Sequence, residues 1–251
     1  MIENRSRRAF TVADLRSMAR RALPRPIFEY IDSGADNEVS LLRNSSAFEE
    51  FELIPDVLND VSCIRTEAVL FGRVVKYPLM LSPTGLTRMF HRHAEGAVAR
   101  AAAKRGLLYS WSTMGTTRIE EVARISDGPK VFQIYIFKDR GLTRDFIARS
   151  KAAGFDGLIV TVDTPVAGNR IRDRINGLAM PPHLTLKTVF QFAIHPNWSL
   201  QALFGSKFDL ANVNQRVDAL AGGGGGGVGG VDIKGGQVGS TRKLAVKGVG
   251  G

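Results

Sequence analysis

The chain has 251 residues, 44% hydrophobic and 23% charged, which excludes a disordered or fibrous protein and fits a folded globular one. Its single cysteine, Cys63, excludes an intramolecular disulfide and suits a reducing compartment, and no run approaches the ~18 apolar residues of a membrane span. The net charge of +10 admits phosphates, nucleic acid or anionic lipid as partners, but without zinc-finger spacing, an aromatic RNA-binding strand or a long basic block, nucleic acid is not expected.

The N-terminal "MIENRSRRAF" lacks the apolar core of a signal peptide, so a cytoplasmic location is expected. Residues 11–47 read as helical. Thr11 and Asp14 have the look of an N-cap and an acidic first turn, and Leu15, Met18, Ala19 and Ala22 follow helical spacing. Pro24 and Pro26 end that helix and start another, which Gly34 closes. Residues 50–77 look irregular apart from a short hairpin around "AVLFGRVVKY".

A regular alternation follows. Apolar strands are expected at 78–83, 107–113, 130–137 and 157–163, with helices at 94–106, 117–125 and 142–154 between them. Nearly continuous apolar strands separated by helices signal a parallel sheet covered by helices. A doubly wound sheet would carry a glycine-rich fingerprint after its first strand, and "SPTGLTRMFHRHAEG" has none. Instead each strand ends in polar side chains: Ser82 to Gly85, then Ser110, Ser112 and Thr113, then Gln133 and Tyr135, then Thr161 and Asp163. Residues two apart in a strand share a face. One such side chain more often satisfies a neighbouring backbone group than a ligand. Four successive strands with the same habit describe the C-terminal face of a (β/α)8 barrel.

After Arg170 the pattern changes. Residues 184–205 are rich in Leu, Val, Phe and Trp with few charges, and two readings stay open: a packed helix or oligomer contact, or a segment lying on a membrane surface. From Gly222 the glycine-rich tract buries too little apolar surface to offset the entropy of ordering. "KLAVKGV" (243–249) then looks like one more barrel strand, with Lys247 near its end.

Five stretches, "FEYIDSGADNE" (28–38), "LSPTGL" (81–86), "FQIYIFKDR" (132–140), "AGFDGLIVTVDTPVAGNRIRDRINGL" (153–178) and "PPHLTLK" (181–187), occur in the order and spacing of a known family. Over roughly residues 8–220 the chain resembles the FMN-dependent L-2-hydroxy-acid dehydrogenases and oxidases. The resemblance implies an α/β fold of the (β/α)8 TIM-barrel type, with about the first five strands present and an N-terminal helical segment. The expected division is 1–77 helical and hairpin, 78–187 four β/α units, 188–221 a helical or membrane-interfacial insertion, and 222–251 a glycine-rich tail.

The resemblance also implies roles. The backbone at Pro83, Thr84 and Gly85 would lie against FMN, and Ser112, Gln133 and Thr161 would bond its ring edge. Lys247 would stabilise negative charge near N1. Tyr30 and Tyr135 would hold the substrate's carboxylate and hydroxyl, with Arg170 nearby. Asp163 would orient a histidine base and stabilise its imidazolium. In the family that histidine follows the sixth strand, and none of His91, His93, His183 or His195 occupies its place.

The expected activity is oxidation of a lactate-like L-2-hydroxy acid to the 2-oxo acid by the complete enzyme, with quinone, cytochrome or oxygen as acceptor. The alternative is a non-catalytic remnant that binds a partner or joins an oligomer. A homo-oligomer is expected of the complete enzyme, peripheral on the inner face of the membrane if 184–205 touches lipid. No metal site is assigned.

Overall fold

The computed structural model describes residues 9–137, 139–162, 168–177, 186–205, 210–212 and 244–246. In chain order these form helices α1 (Val12–Ala22), α2 (Arg25–Asp32) and α3 (Val39–Ser46), then a hairpin of β1 (Ala68–Leu70) and β2 (Arg73–Val75). The alternation β3 (Met80–Leu81), α4 (Ala94–Arg105), β4 (Leu108–Ser112), α5 (Ile119–Ile125), β5 (Lys130–Tyr135), α6 (Arg140–Ala152) and β6 (Gly157–Thr161) follows. Then come α7 (Ile171–Ile175), α8 (Leu186–Ala193), α9 (Pro196–Phe204) and β7 (Leu244–Val246). The chain divides into two compact units, Met1–Pro55 with Gly168–Lys207, and Asp56–Ala167 with Phe208–Gly251.

The first unit is helical. A capping box starts α1: the Asp14 amide donates to Thr11 Oγ1 (3.1 Å), and Asp14 accepts from the Thr11 amide (2.9 Å). Pro24 is the N-cap of α2 and Pro26 sits in its first turn, where no helical N–H is needed. The helix closes at Ser33, one residue before Gly34. Polar bonds tie α7 and its flanks to this layer. Arg172 pairs with Glu38 (2.6 Å), Asn176 donates to Glu29 (2.5 Å), and Asn169 donates to Asp36 (2.8 Å). Within the apolar stretch, 186–205 holds two helices, because Pro196 opens a new one. Its ring contact Phe192–Trp198 (5.1 Å) and the Ser199 hydroxyl bond to the Phe192 carbonyl (2.6 Å) hold the pair together.

The second unit is a sheet in the order β3-β4-β5-β6, all parallel, with β7 beyond β6. The expected barrel strand at 243–249 is corrected here: Leu244–Val246 runs antiparallel, with Leu158 opposite Val246. A parallel neighbour needs a long crossover, usually a helix, to carry the chain back to the same end. Among the described residues three helices lie between β6 and β7, so the connection is long enough for either direction, and the sequence of so short an apolar strand does not choose between them.

Period-two alternation gives this sheet two different faces. Tyr109, Trp111, Phe132 and Ile134 point to the helices and pack with Ala99, Ala102, Ile119, Val122 and Phe146. Phe132 meets Phe146 edge-on at 6.1 Å and Trp111 at 5.2 Å. On the other face Leu108, Val131 and Ile159 pack with Val75 and half-buried Phe71 of the hairpin. The β1–β2 turn places Phe71 (φ +51°) and Gly72 (φ +77°) in the left-handed region, which is unusual for phenylalanine. Gly157 makes room for that ring, since a Cβ there would lie 2.5 Å from Phe71 Cδ1. Gly157→Ala is expected to cost about 1–3 kcal/mol in urea unfolding. Combining it with Phe71→Ala should be strongly non-additive, and a purely additive double variant would refute the packing account.

Candidate functional site

The hairpin-covered face of the sheet is graded along the strands. At the N-terminal end it is apolar, through Leu108, Val131 and Ile159. One layer up lies Ser110, fully buried, whose hydroxyl has no hydrogen-bond partner among the described residues. At the C-terminal end stand Ser112, Gln133 and Thr161, only 4%, 3% and 8% exposed.

These three side chains come together. Ser112 donates to Gln133 Oε1 (3.2 Å), and Gln133 Nε2 donates to Thr161 Oγ1 (2.7 Å). The register puts them there, because Ser112 lies opposite Gln133 and Tyr135 lies opposite Thr161. Thr113 anchors the end of the sheet. Its hydroxyl donates to the Gln133 carbonyl (2.6 Å) and accepts from the Tyr135 amide (3.2 Å). The result is a hydroxyl–amide–hydroxyl chain across three adjacent strand ends, half-buried Tyr135 beside it. Such a row offers donors and acceptors in alternation.

The loop carrying Pro83, Thr84 and Gly85 is held against the loop after β4. A Cβ on Gly85 would sit 2.7 Å from Met114 Cβ, so only glycine fits without a shift. The Leu86 amide donates to the Met114 carbonyl (2.9 Å), and the Met114 amide donates to Ser112 Oγ (3.2 Å). The backbone at 83–85 is thereby coupled to the Ser112 hydroxyl.

Below this junction sits Glu95, fully buried in the first turn of α4. Its carboxyl group accepts from the Thr116 amide (2.7 Å), the Thr116 hydroxyl (3.0 Å) and the Thr117 hydroxyl (2.5 Å). Thr116 Oγ1 in turn accepts from the Arg88 amide (3.2 Å), so one carboxyl group fastens the loops after β3 and β4. Buried Asn212 works similarly on α5, accepting from the Ile119 amide (3.1 Å) and donating to the Thr117 carbonyl (3.1 Å). Neither residue was among the sequence candidates. A lone glutamate in a helix's first turn reads as a dipole partner, and nothing around Asn212 in the sequence signals burial.

In the helical unit Tyr30 and Arg170 also come together. The Arg170 guanidinium lies 4.8 Å from the Tyr30 ring centroid. It donates to the Tyr30 carbonyl, to Ser33 Oγ (3.3 Å) and to Asp173 Oδ2 (2.5 Å). The arginine is thus clamped by main chain, ring and carboxylate. Burial pushes the Tyr30 phenol up; Arg170 opposes the shift and Asp173 adds to it. The phenol therefore stays protonated and able to donate. Asp163 and Lys247 lie outside the described residues.

Comparison with known proteins shows the family of the chain. The sequence profile of the family "FMN-dependent dehydrogenase" matches residues 19–249. A putative L-lactate dehydrogenase of Mycobacterium tuberculosis (strain ATCC 25618 / H37Rv) is 40% identical over 208 residues, covering 82% of this chain and 50% of that protein. An L-lactate dehydrogenase of Acinetobacter baumannii (strain AYE) is 40% identical over 203 residues, covering 80% and 53%. Among solved structures, the monotopic membrane protein (S)-mandelate dehydrogenase superposes with a TM-score of 0.78 at 32% identity, covering 82% of this chain and 55% of that one. A mandelate oxidase gives a TM-score of 0.66 at 34% identity, covering 74% and 58%. The chain spans about half the length of the curated relatives it matches. FMN is the cofactor of the family, and its neighbours' barrel fold matches four parallel strands here, which form no closed barrel among the described residues. By the extent of the profile match and the identity to its relatives, this chain belongs to the FMN-dependent dehydrogenases.

Proposed function

We propose that this chain supplies the flavin-facing sheet of an oxidoreductase that converts an L-2-hydroxy acid of the lactate–mandelate class into the 2-oxo acid. The observation that carries the proposal is the Ser112–Gln133–Thr161 chain at three adjacent C-terminal strand ends. Its alternating donors and acceptors fit the pyrimidine edge of an isoalloxazine, where carbonyl oxygens alternate with ring nitrogens. Ser112, Gln133 and Thr161 would hold that edge, and the backbone of Pro83, Thr84 and Gly85 would line the ring. Val246 pairs with Leu158, at the end of β6 away from Thr161, so Lys247 is not part of this proposal. Bound FMN supplies the two-electron acceptor.

The remaining chemistry belongs to the protein. Arg170, preorganised by Tyr30 and Asp173, would meet the substrate's carboxylate as a fixed cation. The Tyr30 and Tyr135 phenols would donate to the carboxylate and hydroxyl. Asp163 would hold a histidine base in the orientation that takes the hydroxyl proton. The test is reduction of an artificial acceptor with L-lactate or (S)-mandelate as donor, alongside equilibrium dialysis of FMN. In a complete version of the enzyme, Asp163→Ala is expected to abolish turnover while leaving FMN bound; loss of the flavin instead would overturn the role given to Asp163. Failure of that complete version to bind FMN would sink the proposal.

A second observation favours membrane-surface docking. On α8, α9 and the elbow between them, Val189, Phe190, Ile194, Leu200, Leu203 and Phe204 are exposed, Phe204 to 83%. No helix among the described residues is long and apolar enough to cross a membrane, so the helices would lie on the surface. The neighbour described as monotopic points the same way. Deleting 188–204 should move the protein from membrane pellet to supernatant; an unchanged distribution would count against docking.

A further inference from the structure

The geometry points to a seat for an anionic lipid headgroup in the arginine-lined cleft of the helical unit, beside the apolar α8–α9 pair. This rests on the membrane-docking reading and goes beyond it by naming a lipid class and the residues that select it.

The cleft has a volume of about 510 Å3 and is lined by Arg16, Arg20, Arg25 and Arg172 together with Glu29 and Asp32. Arg16 and Arg20 are one turn apart on α1, and the small residues Ala13 and Ser17 on the same wall leave space between α1 and α2. The charges are layered by depth. The Asp32 and Glu29 side chains are only 12% and 17% exposed, whereas those of Arg16 and Arg25 are 67% and 65% exposed. Hydrogen bonds from Arg16 hold the Asp32 carboxyl below its ordinary value. Burial pushes Glu29 up, but Asn176 and Arg25 outweigh it, so its net shift is also downward. The floor is thus anionic and internally paired, and the rim presents guanidinium groups to solvent.

Four lining arginines face two lining carboxylates, and Glu38 pairs with Arg172, which leaves Arg20 as the lining cation in excess. Arg20 makes no hydrogen bond or ion pair among the described residues and acts on Asp32 only through its field. A phosphate oxygen at the rim would find guanidinium donors whose planar forks match it.

Position argues for a lipid phosphate over a free one. His195, the elbow between α8 and α9, lines the same cleft. Its Nδ1 is fastened to the Gln191 carbonyl (2.9 Å), which fixes the elbow. The cationic rim and the exposed apolar side chains are therefore adjoining parts of one unit. A lipid satisfies both at once, acyl chains against Phe190 and Leu203, phosphate against the arginines. A soluble phosphate would leave the apolar part uncovered.

Co-sedimentation with vesicles of phosphatidylcholine alone, and of phosphatidylcholine with about one-third phosphatidylglycerol, tests this. The protein should prefer the anionic vesicles, and the preference should fade in high salt. Arg20→Gln should weaken partitioning onto the anionic vesicles about fivefold and leave neutral vesicles unaffected. Phe204→Asp should weaken both. Equal binding to the two vesicle types, or an Arg20→Gln variant that behaves as the parent, overturns the headgroup seat while docking stands. Absence of binding to either vesicle sinks the docking reading itself. Glycerol phosphate binding to the cleft as tightly without vesicles would assign it to a soluble anion and overturn the lipid.

Discussion

Gln133→Leu is expected to weaken FMN binding by about tenfold or more and to lower stability by about 1–3 kcal/mol. Gln133 is the middle of the polar row. Its Oε1 accepts from the Ser112 hydroxyl and the Thr113 amide (3.3 Å), and its Nε2 donates to Thr161. Leucine keeps much of the volume but leaves those partners unsatisfied in a site only 3% exposed. Ser112 would turn to find another acceptor, and the Met114 amide that donates to it would lose its anchor. The Ser112 hydroxyl and the loop at 83–85 are thus disturbed by one substitution. Equilibrium dialysis and urea melts separate the two effects. An unchanged FMN affinity in a destabilised protein would make the row a structural element only.

Glu95→Leu should be more damaging to stability than Gln133→Leu, by several kcal/mol. It strands the Thr116 amide, the Thr116 hydroxyl and the Thr117 hydroxyl in a fully buried position. Each buried group left without a partner costs about 1–3 kcal/mol. A domain has only about 5–15 kcal/mol in all. Glu95→Gln keeps one acceptor oxygen and the shape, and should lose roughly half as much. Denaturant midpoints measured by circular dichroism order the three proteins. If leucine and glutamine prove equally mild, the carboxyl group is not what fastens the loops after β3 and β4.

Much of the sheet was legible because its signals are local. Continuous apolar runs mark β4, β5 and β6, and Gly106 stops α4 where expected. Thr11 and Asp14 announce the start of α1 by a reciprocal bond that needs no tertiary context. The polar strand ends were legible for the same reason: a serine or glutamine interrupting an apolar strand stands out. What the sequence hid depends on distance. Glu95 and Thr116 are 21 positions apart and Asn212 and Ile119 are 93 apart, so no window contains both partners. The direction of β7 was hidden too. A three-residue apolar strand looks the same read either way, and only its neighbour decides the pairing.

The hairpin packed on the apolar end of the graded face has a consequence for access. Phe71 and Val75 cover the sheet at the end opposite Ser112, Gln133 and Thr161. A molecule seated on the polar end cannot arrive along the strands from the hairpin side, so its approach is past the strand tips and the loops after them.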